Sequence, residues 1–461
     1  MKKSLTFNGY SITKHDSQLI NEIKEELTVT PSSGLNFNEK KEYTLYRENT
    51  NKLYIPRYFG LQRFGLPERD LILNTGIDCN RLEFEGNLRD EQIDVVDKFL
   101  QVAYDPLKRG GIINVGCGFG KTVVALYIAC QIKKKTLFIV HKDFLGTQFA
   151  ERAKLFVPKA KIGIIKQNKV DIEDKDLVTG SLQSLAMRDY NEDMLKEFGL
   201  VIVDECHHTS AEVFSNALLK MASPIMMGLS ATLNRKDGLR KVFEWFLGKP
   251  ILKMKSKKDN TVDIKIEYYY DDNENYNKEV KMWNGKISSV HMINNICSYE
   301  PRNIHITNII NEILEKENNR QILILSERRN QLETLNKLLK DKYTTGYYIG
   351  GLSREKLSES EKKQIILGTY HMASEGMDIP SLNTLILASP ISSIEQSIGR
   401  IQRKKPEDRE YNPLCIDIVD TFSMFESKGK TRMRYYKSRQ YNVINEKKES
   451  KEIKYNYIEE E

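Results

Sequence analysis

The chain has 461 residues, of which 40% are hydrophobic and 29% are charged, as is typical of globular proteins that bury a sizeable core. Its 71 basic residues are nearly balanced by 64 acidic ones, so the net charge of +7 permits nucleic-acid binding without indicating it. Six scattered cysteines without a C-x-x-C pair argue against a zinc site or a disulfide framework, and we expect a soluble intracellular protein because no secretory signal or membrane-length apolar run is found.

Residues 1–84 precede the first nucleotide motif. A short helix is predicted from Asn21 to Leu27, and the stretch from Tyr43 to Tyr58 is rich in aromatic residues and arginine. One interpretation is a small β-containing domain with an aromatic core. The other is an accessory nucleic-acid surface, in which arginine and tyrosine contact phosphates and stack on bases.

The stretch from Gly111 to Leu126 has the order strand, glycine loop, Lys-Thr, helix that a phosphate-binding loop requires. A buried strand is predicted from Ile112 to Val115, and the loop that follows contains Gly116, Cys117, Gly118, Phe119 and Gly120. Backbone N–H groups of such a loop bind phosphate, Lys121 supplies charge, and the Thr122 hydroxyl can hold Mg²⁺. The strict motif has glycine where this chain has Val115, so an ordinary glycine-rich turn remains the alternative.

A second buried strand, from Leu200 to Val203, ends in Asp204 and Glu205. Carboxylates at the end of a parallel strand point into the crevice where ligands bind. We expect Asp204 to hold Mg²⁺ and Glu205 to orient and deprotonate the attacking water. The vicinal pair His207 and His208 is not expected to form a metal site, because both rings cannot easily face one ion.

The second half of the chain alternates strands and helices, which predicts another parallel sheet. Strands are expected at 262–268, 321–326, 364–369 and 382–388, a helix at 304–314, and a polar loop from Asp271 to Lys278. Near its end, Arg400 and Arg403 stand one helical turn apart. On a helix they would share a face, and both could reach a γ-phosphate as arginine fingers.

The stretch from Ser427 to Asn445 contains six basic residues and no acidic one, with three tyrosines between them. This composition suits contact with a nucleic-acid backbone. It equally suits a basic helix that packs on the preceding domain.

Taken in order, the segments GCGFGKT, DECH, SAT, TYHMASEGMDIP and QSIGRIQR resemble the motifs of superfamily-two DExH helicases over about residues 88–403. The first two, with the residues after SAT, are most similar to XPB-type and poxvirus transcript-release helicases, and LYIPRYFGL resembles a segment in helicases of large nucleocytoplasmic DNA viruses. The resemblance implies an α/β fold with two tandem RecA-like parallel-sheet domains and ATP between them. The implied domains are a small N-terminal accessory domain at 1–84, an ATP-binding domain at 85–253, a C-terminal helicase domain at 254–425 and a basic tail at 426–461.

The resemblance also implies roles for individual residues. Gln92 would read adenine, Gly376 and Asp378 would lie at the ATP cleft, and Gln396 would join the two arginines in the catalytic set. The residues expected to contact nucleic acid are His141, Lys142, Thr179, Ser181, Gln183, Ser326 and Thr369. Hydroxyls and N–H groups at helix starts suit phosphates, although plain helix capping is the alternative. Ser397 departs from the family, where arginine is common at this position.

These resemblances imply a monomeric, ATP- and Mg²⁺-dependent helicase or translocase that moves along nucleic acid, DNA in preference to RNA. It would unwind duplexes or displace transcripts, in contact with transcription machinery and not with a membrane, in the cytoplasm or in a virion. Two alternatives remain: an RNA helicase of RNA metabolism, and a non-catalytic scaffold with a helicase fold. The presence of Lys121, Asp204, Glu205 and both arginines argues against the scaffold.

Overall fold

The structure is a computed structural model, and it describes residues 1–30, 42–116, 118–206, 211–231, 239–253, 261–374, 377, 379–404 and 406–444. The chain divides into two compact units, Met1–Ser256 and Lys257–Glu461. Each unit contains a large, mainly parallel sheet covered by helices, which confirms the predicted α/β class and the two RecA-like domains. Within the described ranges, no helix combines the length and the apolar character needed to cross a bilayer.

The first unit begins with a small sheet in the order β5-β6-β2-β1-β7. The elements of this N-terminal part, in which β3 and β4 form a separate two-stranded sheet, are β1 Lys3–Thr6, β2 Gly9–Thr13, α1 Ser17–Glu26, β3 Thr28–Val29, β4 Tyr43–Thr44, β5 Arg47–Glu48, β6 Lys52–Ile55, α2 Arg57–Phe64 and β7 Arg69–Asp70. Helix α1 starts before the predicted Asn21 because the Asp16 carboxylate caps it, accepting from the N–H groups of Gln18 and Leu19.

The aromatic-rich N-terminal segment contributes to the core of the first unit. Leu53 and Ile55 of this stretch, and Phe59 directly after it, are almost fully buried in a hydrophobic cluster that also contains Met226 and Phe246 of the large sheet and its helices. Phe59 packs edge-on against Trp245, with ring centroids 5.3 Å apart. These contacts favour the core interpretation of the segment over an exposed nucleic-acid surface.

The large sheet of the first unit has the strand order β11-β10-β12-β9-β13-β14-β8-β15, and only β11 pairs antiparallel. Its elements are α3 Asp90–Ala103, β8 Gly110–Asn114, α4 Lys121–Ile132, β9 Thr136–Val140, α5 Asp143–Phe156, β10 Ile162–Lys166, β11 Lys169–Asp171, β12 Leu177–Ser181, α6 Leu182–Met187, α7 Glu192–Leu195, β13 Leu200–Val203, α8 Ala211–Leu218, β14 Ile225–Ser230, α9 Arg240–Leu247 and β15 Pro250–Lys253. Strands such as β9 and β13 are buried along their whole length, as continuous apolar runs in parallel sheets are.

The sheet of the second unit has the order β18-β19-β17-β20-β21-β16-β22, with every pairing parallel. Its elements are β16 Asp263–Tyr269, α10 Glu274–Asn277, α11 Ser289–Ser298, α12 Glu300–Lys316, β17 Ile322–Ser326, α13 Arg329–Leu339, β18 Thr345–Tyr348, α14 Arg354–Ser360, β19 Ile365–Thr369, α15 Tyr370–Ser374, β20 Thr384–Leu387, α16 Glu395–Ile398, a 3₁₀ turn Pro406–Asp408, β21 Leu414–Asp420, α17 Met424–Arg439 and β22 Asn442–Ile444.

The predicted polar loop from Asp271 to Lys278 was wrong in one respect, because it contains the short helix α10. Tyr276 of this helix is fully buried, and its hydroxyl donates to Asp420 Oδ1 at 2.7 Å. The same carboxylate receives two hydrogen bonds from the buried Arg302. A single buried ring therefore fixes a stretch that looks polar in sequence.

The basic stretch from Ser427 packs on the second unit as helix α17 and strand β22. Arg432 and Tyr436 are buried, and both donate to the Asp417 carboxylate, Tyr436 at 2.8 Å. Strand β22 pairs parallel with β16. Of the two alternatives for this stretch, the structure supports the packed helix.

Candidate nucleotide and nucleic-acid sites

Three adjacent strands bring the predicted ATP-site segments to one edge of the first sheet. Strands β8, β14 and β13 are neighbours in register, with Ser230 opposite Asn114 and Val203 opposite Gly228. The glycine loop follows β8, Ser230 ends β14, and Asp204 follows β13. The carboxyl ends of parallel strands form the crevice where ligands of such sheets bind.

The glycine loop adopts the left-handed backbone that its sequence suggests. Gly118 and Gly120 have φ values of 79° and 87°. A Cβ on Gly120 would lie 2.5 Å from Gln92 Nε2, so this position requires glycine. Val115 still belongs to the sheet edge, because it is buried and its N–H donates to the Ser230 carbonyl at 3.1 Å. The residue that departs from the strict motif therefore fills the core, and the turn begins after it.

Gln92 and Arg89 hold the glycine loop from the start of α3. The Gln92 side chain accepts from the Arg89 N–H at 2.9 Å and donates to the Phe119 carbonyl at 2.7 Å. The Arg89 guanidinium donates to the same carbonyl and to that of Gly118. Arg89 was missed in the sequence, where the only signal was its place three residues before Gln92, at the cap of the helix.

Lys121 and Glu205 form an ion pair at the centre of this edge. Lys121 Nζ donates to Glu205 Oε1 at 2.5 Å, and the two side chains are only 12% and 19% exposed. Glu205 has a φ of 43°, which is costly for a residue with a side chain and typical of functional positions. The Glu205 N–H donates to Asp204 Oδ1 at 3.0 Å. The predicted lysine, carboxylate and glycine loop are thus brought together.

Asp204 lies where its ionised form is disfavoured. Withdrawal from water, together with the neighbouring Glu205 carboxylate, raises the pKa of Asp204 to about 6. A divalent cation would relieve this by neutralising the two carboxylates. Oxygen ligands of this kind, with the hydroxyl of Thr122 at the start of α4, are those that Mg²⁺ prefers. The residues present therefore fit ATP and Mg²⁺.

The first-unit residues predicted to contact nucleic acid lie at the ends of two neighbouring strands, β9 and β12. His141 and Lys142 follow β9, with Lys142 at the cap of α5. Ser181 caps α6 without bonding its side chain to the helix, and Gln183 is exposed. Thr179 differs, since it is buried and its hydroxyl donates to the Gly163 carbonyl at 3.3 Å. Its geometry favours a structural role.

In the second unit, Ser326 and Thr369 are paired at the ends of β17 and β19. Ser326 is fully buried, and its hydroxyl donates to Gln331 Oε1 at 2.6 Å while accepting from the Arg328 N–H. The hydroxyl thus forms a local turn just before α13, whose N-cap is Arg328, and this geometry favours a structural role. Thr369 is half-buried at the start of α15.

The two arginines lie outside the predicted helix, because α16 ends at Ile398. The expectation of a shared helix face was therefore wrong. Both guanidinium groups nevertheless reach the Met377 carbonyl, Arg400 at 2.6 Å and Arg403 at 3.5 Å. Arg400 is buried and also donates to the Ala373 carbonyl at 2.7 Å, whereas Arg403 is half-buried. Gln396 lies half-buried on α16. Several predicted residues lie outside the described ranges: Cys117, His207, His208, Thr232, Gly376 and Asp378.

Comparisons with known proteins bear on both units. Residues 85–235 match the family described as "Type III restriction enzyme, res subunit", and residues 305–405 match "Helicase conserved C-terminal domain". A protein of Acanthamoeba polyphaga mimivirus, named as an ATP-dependent RNA helicase, is 39% identical over 96% of this chain and 86% of its own length. A protein of Escherichia phage T5, named as a helicase, is 30% identical over 72% of this chain and 73% of its own.

Among solved structures, S. cerevisiae Dbp5 bound to RNA and ADP BeF3 is similar to this chain with a TM-score of 0.53. The match covers 78% of this chain and 94% of that one, at 11% sequence identity. At so low an identity the likeness concerns the fold alone.

Proposed function

The chain belongs to the superfamily-two helicases, enzymes that hydrolyse ATP with Mg²⁺, and on that premise we propose that it is a translocase that acts on DNA. The observation that carries this proposal is the meeting of the glycine loop, Lys121 and the Asp204–Glu205 pair at the ends of three adjacent strands. Movement along a strand would then produce unwinding or transcript displacement.

Each residue of the ATP site has a distinct task in this proposal. The loop from Gly116 to Gly120 cradles phosphate with its N–H groups, and Lys121 places an ammonium beside the γ-phosphate. Glu205 accepts the proton of the attacking water. Asp204 and Thr122 hold Mg²⁺, which when bound neutralises charge on the phosphate oxygens. Gln92 contacts adenine while its hydrogen bonds keep the loop in shape.

We divide the roles of the two arginines. Arg400 donates to the carbonyls of Ala373 and Met377 and acts as a positioning residue. Arg403 is more exposed and supplies positive charge to the γ-phosphate in the transition state. Gln396 of α16 is proposed to act with Arg403 in the catalytic set.

The nucleic-acid contacts are proposed for His141, Lys142, Ser181 and Gln183, at the ends of β9 and β12. Strand β9 is also the neighbour of β13, and the Asp204 N–H donates to the Ile139 carbonyl of β9 at 3.0 Å. Phosphate contacts at this edge are therefore one strand away from the carboxylates. Because the two strands are hydrogen-bonded neighbours, binding of nucleic acid at the end of β9 can be coupled directly to the position of the carboxylates that act in hydrolysis.

DNA is favoured because the family matched over residues 85–235 is described as a restriction-enzyme subunit, a class of enzyme that acts on DNA. RNA is the second candidate, because the mimivirus relative is named as an RNA helicase. ATP hydrolysis should be measured without nucleic acid and with single-stranded DNA, duplex DNA and RNA of equal length. We expect the largest stimulation with DNA; stimulation by RNA alone would overturn this choice and support the second candidate.

A further inference from the structure

A short hairpin in the second unit exposes a tryptophan. The Trp283 side chain is 98% exposed, the highest value among the large hydrophobic residues of the described ranges. The second tryptophan of the chain, Trp245, is half-buried against Phe59. An indole in water gives up the burial that normally stabilises such a residue, and it contributes no packing to the fold.

The tip of this hairpin has a defined turn. The Gly285 N–H donates to the Met282 carbonyl at 2.9 Å, and the Met282 N–H donates to the Lys286 carbonyl at 2.8 Å. Gly285 adopts a φ of 77°, as the residue after a type I turn does in hairpins of this length. Trp283 and Asn284 therefore occupy the two central positions of the turn, at its outermost point.

The base of the hairpin is anchored in the core. Val280 and Ile287 pack against the hydrophobic cluster of the second unit. The Ser288 N–H donates to the Val280 carbonyl at 2.8 Å, and an antiparallel bridge joins Lys281 to Ile287. The indole is thus presented by a fixed arm, which lowers the entropy lost when a ligand binds it.

The charges around the tip are positive. Lys281 and Lys286 flank the turn and are exposed. The one acidic residue between Lys278 and Ser288 is Glu279, and its carboxylate accepts a hydrogen bond from the Ser423 hydroxyl at 2.5 Å. An exposed aromatic ring between cations is the combination that binds single-stranded nucleic acid, by stacking on a base while the cations contact phosphates.

We propose that the hairpin of residues 280–288 is a strand-contact site, at which Trp283 stacks on a base of single-stranded nucleic acid. The proposal rests on the proposed translocase function and adds a contact point in the second unit. It predicts little base specificity, because every base has a face on which an indole can stack.

The two tryptophans allow a direct test. In a Trp245→Phe background, Trp283 is the sole source of tryptophan emission, and it should be quenched on titration with a single-stranded oligothymidylate. An abasic strand of the same length retains the phosphates and serves as the control, which should leave the emission nearly unchanged. Affinity is measured in parallel by the anisotropy of the labelled strand.

Substitutions then separate stacking from charge. Trp283→Leu should weaken binding about tenfold or more without changing the slope of log K against log salt, whereas Trp283→Phe should retain most of the affinity. Lys281→Ala should instead flatten that slope by about 0.7. Because Trp283 is exposed, thermal melting of these variants should match that of the unsubstituted protein.

The proposal is overturned if the protein binds oligothymidylate saturably while Trp283 emission stays unchanged and the Trp283→Leu variant binds the strand as tightly as the unsubstituted protein. That result would indicate a tip that docks on an apolar protein surface. In that case, hydrolysis that is still stimulated by nucleic acid leaves the translocase assignment intact. A protein that neither binds the strand nor responds to it overturns both.

Discussion

Single residues at the end of β13 determine the chemistry that we assign to this chain. Lys121 contacts Glu205, and Glu205 takes a left-handed backbone conformation next to Asp204. The strain at Glu205, which costs about 1–3 kcal/mol, is retained because it directs the carboxylate towards the lysine. Replacing any of the three should therefore alter hydrolysis far more than stability.

Lys121→Ala should abolish ATP hydrolysis, because the loop then lacks the charge that contacts the β- and γ-phosphates. Circular dichroism should show an intact fold, because the lysine fills no core position, while the melting temperature should fall modestly because the largely buried Glu205 carboxylate loses its ion-pair partner. Lys133→Ala, a cation at the other end of the same helix, is the matched control. A Lys121 variant that turns over ATP at the normal rate would refute the phosphate-loop assignment.

The raised pKa of Asp204 gives a pH prediction. Because the pKa of about 6 in the folded chain exceeds the ordinary value of 3.8, the folded state binds the extra proton between these values. Folding stability from this group is therefore greatest below about pH 4 and is lost as the pH rises through 6. Mg²⁺ needs the ionised carboxylate, so the Mg²⁺ concentration for half-maximal hydrolysis should rise about tenfold per pH unit below 6.

Measuring that Mg²⁺ requirement from about pH 5 to about pH 8 tests the assignment of Asp204 as the metal ligand. Asp204→Asn removes the titrating group and serves as the control, in which the pH dependence should disappear together with most of the activity. An unchanged Mg²⁺ requirement across this range in the unsubstituted protein contradicts the assignment.

Measurements of kcat and of melting temperature should distinguish the roles of Arg403 and Arg400. Arg403→Ala should lower kcat by about 10³ with little change in ATP affinity or melting temperature, because a finger acts mainly in the transition state. Arg400→Ala should lower the melting temperature, because it leaves the carbonyls of Ala373 and Met377 without their buried donor. An Arg403 effect confined to KM would mean that this residue only binds ATP.

At the level of elements, helix α17 has a basic sequence and yet contributes buried side chains to the core of the second unit. The Asp417 carboxylate on β21 is fully buried and is satisfied by Arg432 and Tyr436 of this helix. Removing the partners of a buried charge costs about 3–5 kcal/mol. The cations Lys430, Arg434 and Lys437 are exposed on the same helix and make no such contribution.

Truncation after Phe425 should therefore lower the melting temperature by roughly 10 °C and damage basal ATP turnover. The triple substitution of Lys430, Arg434 and Lys437 by alanine is the matched control. It should leave the free energy of unfolding within about 1 kcal/mol of that of the unsubstituted protein. If the truncated chain melts normally but binds nucleic acid with a flatter salt dependence, the helix is a binding tail and not a structural element.

The sequence predicts elements best where one physical signal dominates. Strand β13 occurs at the predicted residues, and β17 and β19 each begin one residue after the predicted start, since unbroken apolar runs have few alternatives in a parallel sheet. The role of α17 could not be chosen, because periodicity does not reveal that Arg432 faces a buried carboxylate. The hairpin at 280–288 was missed, since the stretch between its anchors Val280 and Ile287 has no regular apolar alternation and its turn depends on Gly285.

Part of the candidate site could also be predicted, because one physical signal dominates there. Asp204 and Glu205 directly follow β13, and Lys121 follows the loop after β8, so the sheet topology brings them together. Arg89 could not be found, because its role depends on the carbonyls of Gly118 and Phe119 in the folded loop. Thr179 and Ser326 were chosen for their hydroxyls, yet burial directs those hydroxyls to Gly163 and Gln331.

For the whole molecule, the proposed function requires residues of both units. The ATP-binding residues are in Met1–Ser256, and Arg403 is in Lys257–Glu461. The net charge of +7 is small, so affinity for nucleic acid should come from localised contacts such as those at the ends of β9 and β12. Binding should weaken with salt by a slope that reflects a few phosphates and not the total charge.

The most direct test is the rate of ATP hydrolysis by Glu205→Gln in the presence of single-stranded DNA, measured beside ATP binding by the same variant. If Glu205 is the general base, the variant binds ATP with nearly normal affinity, hydrolyses it about 10²–10⁴ times more slowly, and remains bound to DNA while ATP is present. Hydrolysis by Glu205→Gln at the rate of the unsubstituted protein would contradict the account.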